Sequence, residues 1–284
     1  MTASVPIRRG FVDLDHGQVH YRTCGAADGS PLVLIHQSPG SSKQLEGLMG
    51  SLSGQGRRTI APDTAGNGDS APLKLDQPSI GDLAATALAS IEQLVSGPFD
   101  LYGSHTGASI AMEIAIARPD LVRRLVIDGM GLYSVDLQSE VLDRYAREIR
   151  PDAEATHLMK VWHFCRDQHL FWPYYNRTAA GRLPDGLPSD DDLHDFTVEV
   201  LKAMRTYHLS YRAAFRHPKR DRLPLISVPT LVVCSTSDML YEYFDDVAAM
   251  VPGARKAELR AWTSPDHHDH AAQVIDTFLA ETAE

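Results

Sequence analysis

Apolar residues in this chain form short continuous runs separated by longer stretches with helical spacing. A strand covered on both faces loses its polar–apolar alternation, so the continuous runs predict buried strands. These are Pro31–His36, Thr59–Asp63, a strand ending at Leu101-Tyr102, Val122–Ile127 and Thr230–Cys234, with a half-exposed strand at Gln18–Arg22 and a last strand at Ala257–Trp262.

Helices are predicted between these strands. Ile80–Leu94 and Ala108–Arg118 carry apolar residues at helical spacing, and the second stops near Pro119. A last helix begins around Ser264 and Pro265, which suit an N-cap and a first helical position, and runs to about residue 280. Strands that alternate with helices predict an α/β fold with a mostly parallel sheet and helices on both faces.

The stretch 131–223 interrupts this alternation. Its pattern is helical, it is rich in aromatic and charged residues, and it contains Pro-Gly loops such as Leu183–Pro188. We therefore expect a core formed by residues 1–130 and 224–284. Residues 131–223 would form a helical cap inserted over the carboxyl ends of the strands.

Composition limits the partners that this chain can have. Its 284 residues, 43% hydrophobic and 23% charged, suit one α/β unit with an inserted subdomain, and the net charge of −10 argues against nucleic acid. No apolar run could span a membrane, residues 1–10 lack the apolar stretch of a signal peptide, and the three cysteines are scattered. We expect a cytoplasmic protein that acts on a small molecule, without a membrane partner, a cofactor or a metal.

The strongest local pattern is Phe99–Glu113, which predicts a short strand, a sharp turn and a helix. Gly103 and Gly107 flank the turn, as expected where a Cβ would clash with the strand or the helix. This is the small-x-nucleophile-x-small layout of a nucleophile elbow. Its tip is His105, and the side chain of the preceding Ser104 is expected to point elsewhere. From this segment alone, a structural histidine on an ordinary turn is the alternative.

Four segments, in order, resemble the motifs of the α/β-hydrolase superfamily, and the resemblance extends over nearly the whole chain. They are the loop His36–Ser42 after the third strand, the loop Pro62–Ser70 after the fourth, the elbow, and Ser235–Asp238, which resembles the loop of the catalytic acid. The elbow is most similar to those of haloalkane dehalogenases and epoxide hydrolases, in which Asp replaces Ser before Thr-Gly-Ala. A capped α/β-hydrolase fold is implied, and a homodimer by analogy.

The resemblance implies a role for each matching position. His105 occupies the nucleophile position and Asp238 the acid position, with Asp128 as a second candidate for the acid. The backbone N–H of Thr106, one residue past the tip, is expected to donate to an oxyanion.

Two further positions depart from the pattern of the relatives. The second oxyanion donor is expected from the loop of Gln37 and Ser38, where Gln37 replaces the usual Gly and brings a polar side chain to the pocket. Relatives have a Gly-His loop between the last strand and the last helix, whereas here the connection is short. His267, His268 and His270 fall in the first turns of the helix. His267 or His268 is the candidate base, and the alternative is that all three are exposed.

An imidazole at the tip suits more than one chemistry. Its ordinary pKa of about 6.5 leaves it largely neutral at pH 7, so it needs no separate base. As general base or nucleophile, His105 would hydrolyse a small organic ester, lactone, thioester or activated C–C bond. The alternatives are proton transfer without hydrolysis, as in a lyase, isomerase or decarboxylase, and a catalytically dead hydrolase that binds a ligand.

The segment Trp162–Arg177 concentrates aromatic and polar side chains within the predicted cap. Aromatic rings suit an apolar or aromatic ligand, and an arginine suits its carboxylate or phenolate. We expect at least one of Trp162, His163, Tyr174 and Arg177 to face the pocket. The alternative is that such residues only attach the cap to the core.

Overall fold

The computed structural model describes residues 6–281 as a central sheet flanked by helices. The strands are β1 (Arg8–Leu14), β2 (Gly17–Cys24), β3 (Ser30–Ile35), β4 (Arg57–Pro62), β5 (Phe99–Ser104), β6 (Val122–Asp128), β7 (Thr230–Ser235) and β8 (Arg255–Leu259). Their order is β1-β2-β4-β3-β5-β6-β7-β8, with the β1–β2 and β2–β4 pairs antiparallel and the other pairs parallel. The predicted fold class is confirmed. Residues 1–5 and 282–284, the two ends of the predicted core, lie outside the described residues. Residues 1–5 are also part of the segment considered for a signal peptide.

Helices cover both faces of the sheet. They are α1 (Glu46–Gly54), α2 (Ile80–Leu94), α3 (Thr106–Ala117), α4 (Val135–Arg144), α5 (Thr156–Leu170), α6 (Asp190–Lys202), α7 (Tyr207–Arg216), α8 (Lys219–Arg222), α9 (Phe244–Met250) and α10 (His267–Leu279). Successive strand residues point to opposite faces, so Leu101 packs in one apolar layer and Tyr102 in the other. Both layers are apolar, which explains the continuous runs in the sequence. None of the helices within residues 6–281 is long and apolar enough to cross a membrane.

Helices α4 to α8 lie between β6 and β7 and form what we term the helical insertion. Its apolar side chains make a cluster of their own around Tyr145, Phe164 and Tyr207. Helix α7 also packs against α2 and α3, which attaches the helical insertion to the sheet. The division into a core of 1–130 and 224–284 and a cap of 131–223 stays a prediction.

Two boundaries near the carboxyl end differ from the predictions. Strand β8 ends at Leu259, before the predicted Trp262, and α10 begins at His267 instead of Pro265. The backbone turns between these elements, where the N–H of His267 binds the carbonyl of Ser264. Ser264 and Pro265 therefore belong to a turn, and Asp266 is the residue that precedes the helix.

Candidate active site

A strained turn between β5 and α3 holds His105 at the carboxyl edge of the sheet. His105 has φ of 51° and ψ of −107°. The flanking glycines have a steric cause: a Cβ on Gly103 would lie 2.2 Å from the carbonyl oxygen of Gly107, and one on Gly107 would lie 2.2 Å from that of Ile35. Such a backbone conformation costs a non-glycine residue about 1–3 kcal/mol, so the surrounding packing must impose it.

His105 is paired with the carboxylate of Asp238, which follows β7. His105 Nε2 lies 2.7 Å from Asp238 Oδ2, and the two side chains are 19% and 2% exposed. The other carboxylate oxygen accepts the backbone N–H of Leu240 at 2.8 Å. The structure therefore brings together the residues predicted for the tip and for the acid, in direct contact.

The electrostatics of this pair favour an ionised carboxylate. Burial alone would lower the pKa of His105, but the charge and hydrogen bond of Asp238 raise it above its ordinary value. Burial alone would raise the pKa of Asp238, but His105 and the Leu240 N–H lower it. Since Nε2 faces the carboxylate, Nδ1 is the ring nitrogen left to take a proton.

Gly129 lies beside the pair. Its φ is +62°, and a Cβ at this position would lie 2.8 Å from Nε2 of His105 and 3.2 Å from Oδ2 of Asp238. A side chain at position 129 would therefore collide with the ring of His105 and crowd the carboxylate of Asp238.

His105 lines a chamber of about 80 Å³ between the sheet and the helical insertion. Since one water molecule needs roughly 10–15 Å³ of such space, the chamber suits a small organic ligand. Its wall is largely aromatic. The rings come from Tyr133, Tyr145, Trp172, Phe196, Tyr211 and Phe215.

Polar groups of the chamber lie near the elbow. Gln37, Ser38 and Thr106 line the chamber, where the oxyanion site was expected. The N–H of Thr106 is at the first position of α3, so it has no carbonyl within the helix to bind. The Oγ atoms of Ser38 and Ser109 are buried in the chamber wall without a hydrogen-bond partner among residues 6–281. These two hydroxyl groups keep a hydrogen-bonding capacity that the described residues do not use.

The structure corrects the expectation that Trp162, His163, Tyr174 or Arg177 faces the chamber, because none of the four lines it. The segment Trp162–Arg177 does contribute to the wall, but through Gln168 and Trp172.

Contacts within the helical insertion explain this outcome. Arg177 pairs at 2.6 Å with the fully buried carboxylate of Asp167, which also accepts a hydrogen bond from Arg166 at 2.7 Å. Tyr174 packs edge-on against Phe164, with ring centres 4.9 Å apart. The side chains of Arg177 and Tyr174 are thus used to hold the helical insertion together.

His267 and His268 line a second cavity, of about 60 Å³, and do not line the chamber of His105. The ring of His267 is fixed by a hydrogen bond between Nδ1 and the carbonyl of Arg260 at 2.8 Å, and it packs on Trp262 at 4.4 Å. Neither histidine is brought to the His105–Asp238 pair as a base. Within the described part of the chain, His105 is the only imidazole that lines the chamber.

Asp128, the second candidate for the acid, also lines the second cavity. It accepts a hydrogen bond from the Tyr102 hydroxyl, and its Oδ1 has no partner among the described residues. Burial raises the pKa of Asp128 to about 7, although the bond from Tyr102 acts in the opposite direction. The carboxylate that contacts His105 is that of Asp238.

Sequence reasoning missed Gln168 and Lys219, which both line the chamber. Lys219 belongs to the charged run Lys219–Arg222, which by its composition predicts an exposed helix. No signal in the sequence separates Lys219 from Arg220 and Arg222.

The protein belongs to the α/β-hydrolase fold family, whose model matches residues 30–251. It is 33% identical over 146 residues to the pyrrolizixenacetamide deacetylase of Xenorhabdus hominickii, a match that covers 51% of this chain and 53% of that protein. The chain therefore spans about half the length of this relative. It is 34% identical over 279 residues to the 2-hydroxymuconate semialdehyde hydrolase of Pseudomonas putida, covering 89% of this chain and 88% of that protein.

Solved structures agree on the fold. The bromoperoxidase of Bacillus anthracis superposes with a TM-score of 0.76 at 20% identity, covering 96% of this chain and all of that one. The enol-lactonase of Burkholderia xenovorans LB400 gives 0.74 at 19% identity, with 96% of this chain and 100% of that chain covered. At these identities the likeness shows the fold alone.

Proposed function

We propose that this protein hydrolyses a small ester, lactone or activated C–C bond, with His105 as the reacting base or nucleophile. The observation that carries the proposal is the His105–Asp238 pair at 2.7 Å on a strained elbow that faces a chamber. Relatives named as a deacetylase and as a semialdehyde hydrolase support hydrolysis as the reaction class.

The proposed step uses each group once. Asp238 accepts the Nε2–H of His105, and Nδ1 removes a proton from water as the water oxygen bonds to the substrate carbonyl carbon. The electron pair of the carbonyl moves to its oxygen, which the N–H of Thr106 stabilises. When the carbonyl re-forms, the leaving group takes the proton from Nδ1. In the nucleophilic version, Nδ1 itself bonds to the acyl carbon, and the bond to the leaving group breaks, so that this group departs with the electron pair and takes a proton from water. A water oxygen then bonds to the acyl carbon as the bond to Nδ1 breaks, which releases the acid and restores the imidazole.

Replacement of the imidazole is the direct test. In a panel of small esters and lactones, His105→Ala should lower kcat/KM by roughly 10²–10⁴-fold, the usual contribution of a positioned general base. His105→Ser should be equally inactive, because no other imidazole from residues 6–281 lines the chamber to activate the new hydroxyl. His194→Ala, an exposed position on α6, is the control and should keep full activity. Unchanged turnover in His105→Ala would refute the proposal.

Proton transfer without hydrolysis is the second candidate. It is favoured by the same absence of a second imidazole among the described residues of the chamber, because one base suffices for a lyase or isomerase. Turnover in ¹⁸O-labelled water separates the two. One labelled oxygen in the product supports hydrolysis, whereas an unlabelled product supports the second candidate.

A catalytically dead hydrolase that only binds a ligand is the third candidate. Against it stands the energetic cost of the conformation at His105, about 1–3 kcal/mol, which a simple binding pocket has no need to impose.

The cytoplasmic location and the homodimer also stay proposals. Light scattering during gel filtration would test the homodimer.

A further inference from the structure

A buried lysine without a counterion lies in the chamber wall. Lys219 is the first residue of α8 and is 8% exposed. Its Nζ donates a hydrogen bond to the carbonyl of Ala214 and lies 5.7 Å from the centre of the Tyr133 ring. Among residues 6–281, no carboxylate forms an ion pair with Lys219, and no Asp or Glu lines the chamber.

Other cations of this helix differ in whether they have a counterion. Arg222, on the same helix, makes two hydrogen bonds to the carboxylate of Glu113 at 2.8 and 2.7 Å. In the chamber, any positive charge on His105 is balanced by Asp238. Lys219 is therefore the uncompensated cation of the chamber.

A buried charge without a partner costs free energy. Burial lowers the pKa of Lys219 to about 8, so the amine still carries its proton for most of the time at neutral pH. A negatively charged ligand in the chamber would remove this cost. A neutral ligand would add to it by displacing water from the ammonium.

We propose that the chamber binds a small carboxylate and that Lys219 recognises it through a charge-assisted hydrogen bond from Nζ to a carboxylate oxygen. The aromatic wall would enclose the apolar or aromatic body of this ligand. The inference rests on the proposed function for where the reaction occurs. It makes the substrate a carboxylate-bearing ester, lactone or C–C substrate, held at one end by Lys219 and attacked at the other by His105.

Ligand binding, which needs no turnover, tests the proposal. The probes are benzoate and benzamide, which share their shape and differ in charge, and the measurement is isothermal titration at pH 7.5. We expect the protein to bind benzoate at least tenfold more tightly, since charge-assisted hydrogen bonds are roughly twice as strong as neutral ones. Lys219→Met should abolish the difference. Lys256→Met removes an exposed lysine paired with Asp245 and should preserve it.

Equal affinity for the two probes, or a benzoate preference that persists in Lys219→Met, would overturn the inference. If Lys219→Met does not fold, Lys219→Gln replaces it. The comparison of the two probes on the unchanged protein already shows whether the chamber prefers the charged or the neutral ligand. A protein that prefers benzoate but hydrolyses none of the panel would refute the proposed function and leave the carboxylate site standing. If hydrolysis is lost in His105→Ala but the protein shows no preference for benzoate, the proposed function stands and the carboxylate site is refuted.

Discussion

Two buried carboxylates lie at the carboxyl ends of neighbouring parallel strands, and their pKa values are shifted in opposite directions. Asp238, after β7, contacts the imidazole of His105, and its pKa is lowered despite burial. Asp128, at the end of β6, contacts the hydroxyl of Tyr102, and burial raises its pKa to about 7. Burial pushes both carboxylates towards the neutral acid. The two carboxylates differ in their contacts, because an imidazole can carry positive charge and the hydroxyl of Tyr102 is neutral.

The cavities near the two carboxylates also differ in the state of their histidines. In the chamber, the ring of His105 keeps one nitrogen for a ligand after Asp238 has taken the other. In the second cavity, the ring of His267 is fixed to a backbone carbonyl and does not reach the chamber. Burial lowers the pKa of His267. The chamber thus contains an imidazole paired with a carboxylate, and the second cavity contains a carboxyl group whose pKa burial raises to about 7.

Removing the carboxylate that contacts His105 should have the largest effect. Asp238→Asn deprives His105 of its charge partner and allows the amide to donate to Nε2, which would leave the proton on Nδ1. We expect kcat/KM to fall by roughly 10²–10⁴-fold. If neutral His105 is the active base, the low-pH limb of the pH–rate profile should shift downwards, because Asp238 raises the pKa of His105. An unchanged inflection would show that His105 does not titrate in the rate-determining step.

Removing the other carboxylate should change stability more than activity. The pKa of Asp128 in the folded state, about 7, lies above its unfolded value of about 3.9. The folded protein therefore binds the extra proton, and Asp128 costs stability increasingly as the pH rises from about 4 to 7. Asp128→Asn should stabilise the protein by up to a few kcal/mol at pH 8, since one pKa unit is worth about 1.4 kcal/mol, and by almost nothing near pH 4.

Urea unfolding at the two pH values measures this gain, with Asp120→Asn as an exposed control. A gain that is the same at pH 4 and pH 8 would contradict the raised pKa of Asp128.

The smallest effect is expected for Ser104→Ala. The hydroxyl of Ser104 lines the second cavity, although it is adjacent in sequence to His105. We expect kcat/KM to change by less than about threefold, because a group that does not touch the substrate contributes little to transition-state stabilisation. A loss as large as that of His105→Ala would mean that the hydroxyl, and not the imidazole, reacts.

The elbow could be predicted from the sequence because its cause is local. At positions 103 and 107 a Cβ would collide with a backbone oxygen, so both positions must be glycine. The resulting Gly-x-x-x-Gly spacing can be recognised in the sequence. The partner of His105 is 133 positions away, and only the resemblance to a family indicated Asp238. Helix α1 gave no clear pattern because it contains three glycines, and its packing against α10 stabilises it.

The chamber wall could not be predicted, for a physical reason. The helical insertion has apolar side chains against the chamber and against its own interior, and both surfaces look alike in a sequence. Tyr145 and Tyr211 serve both surfaces, whereas Phe164 and Tyr174 pack only in the interior. Lys219 could not be predicted as a residue of the chamber, because a charged residue in a charged run predicts exposure to solvent.

Position 129 gives this site an unusual sensitivity to mutation. Since a Cβ at position 129 would lie 2.8 Å from the ring of His105, one additional methyl group would force the ring to move relative to Asp238 without replacing either residue. The protein could then keep its chamber, its aromatic wall and its affinity for a ligand while losing the contact that prepares the imidazole for proton transfer. A single carbon atom at position 129 would thus turn a proposed catalyst into a protein that only binds.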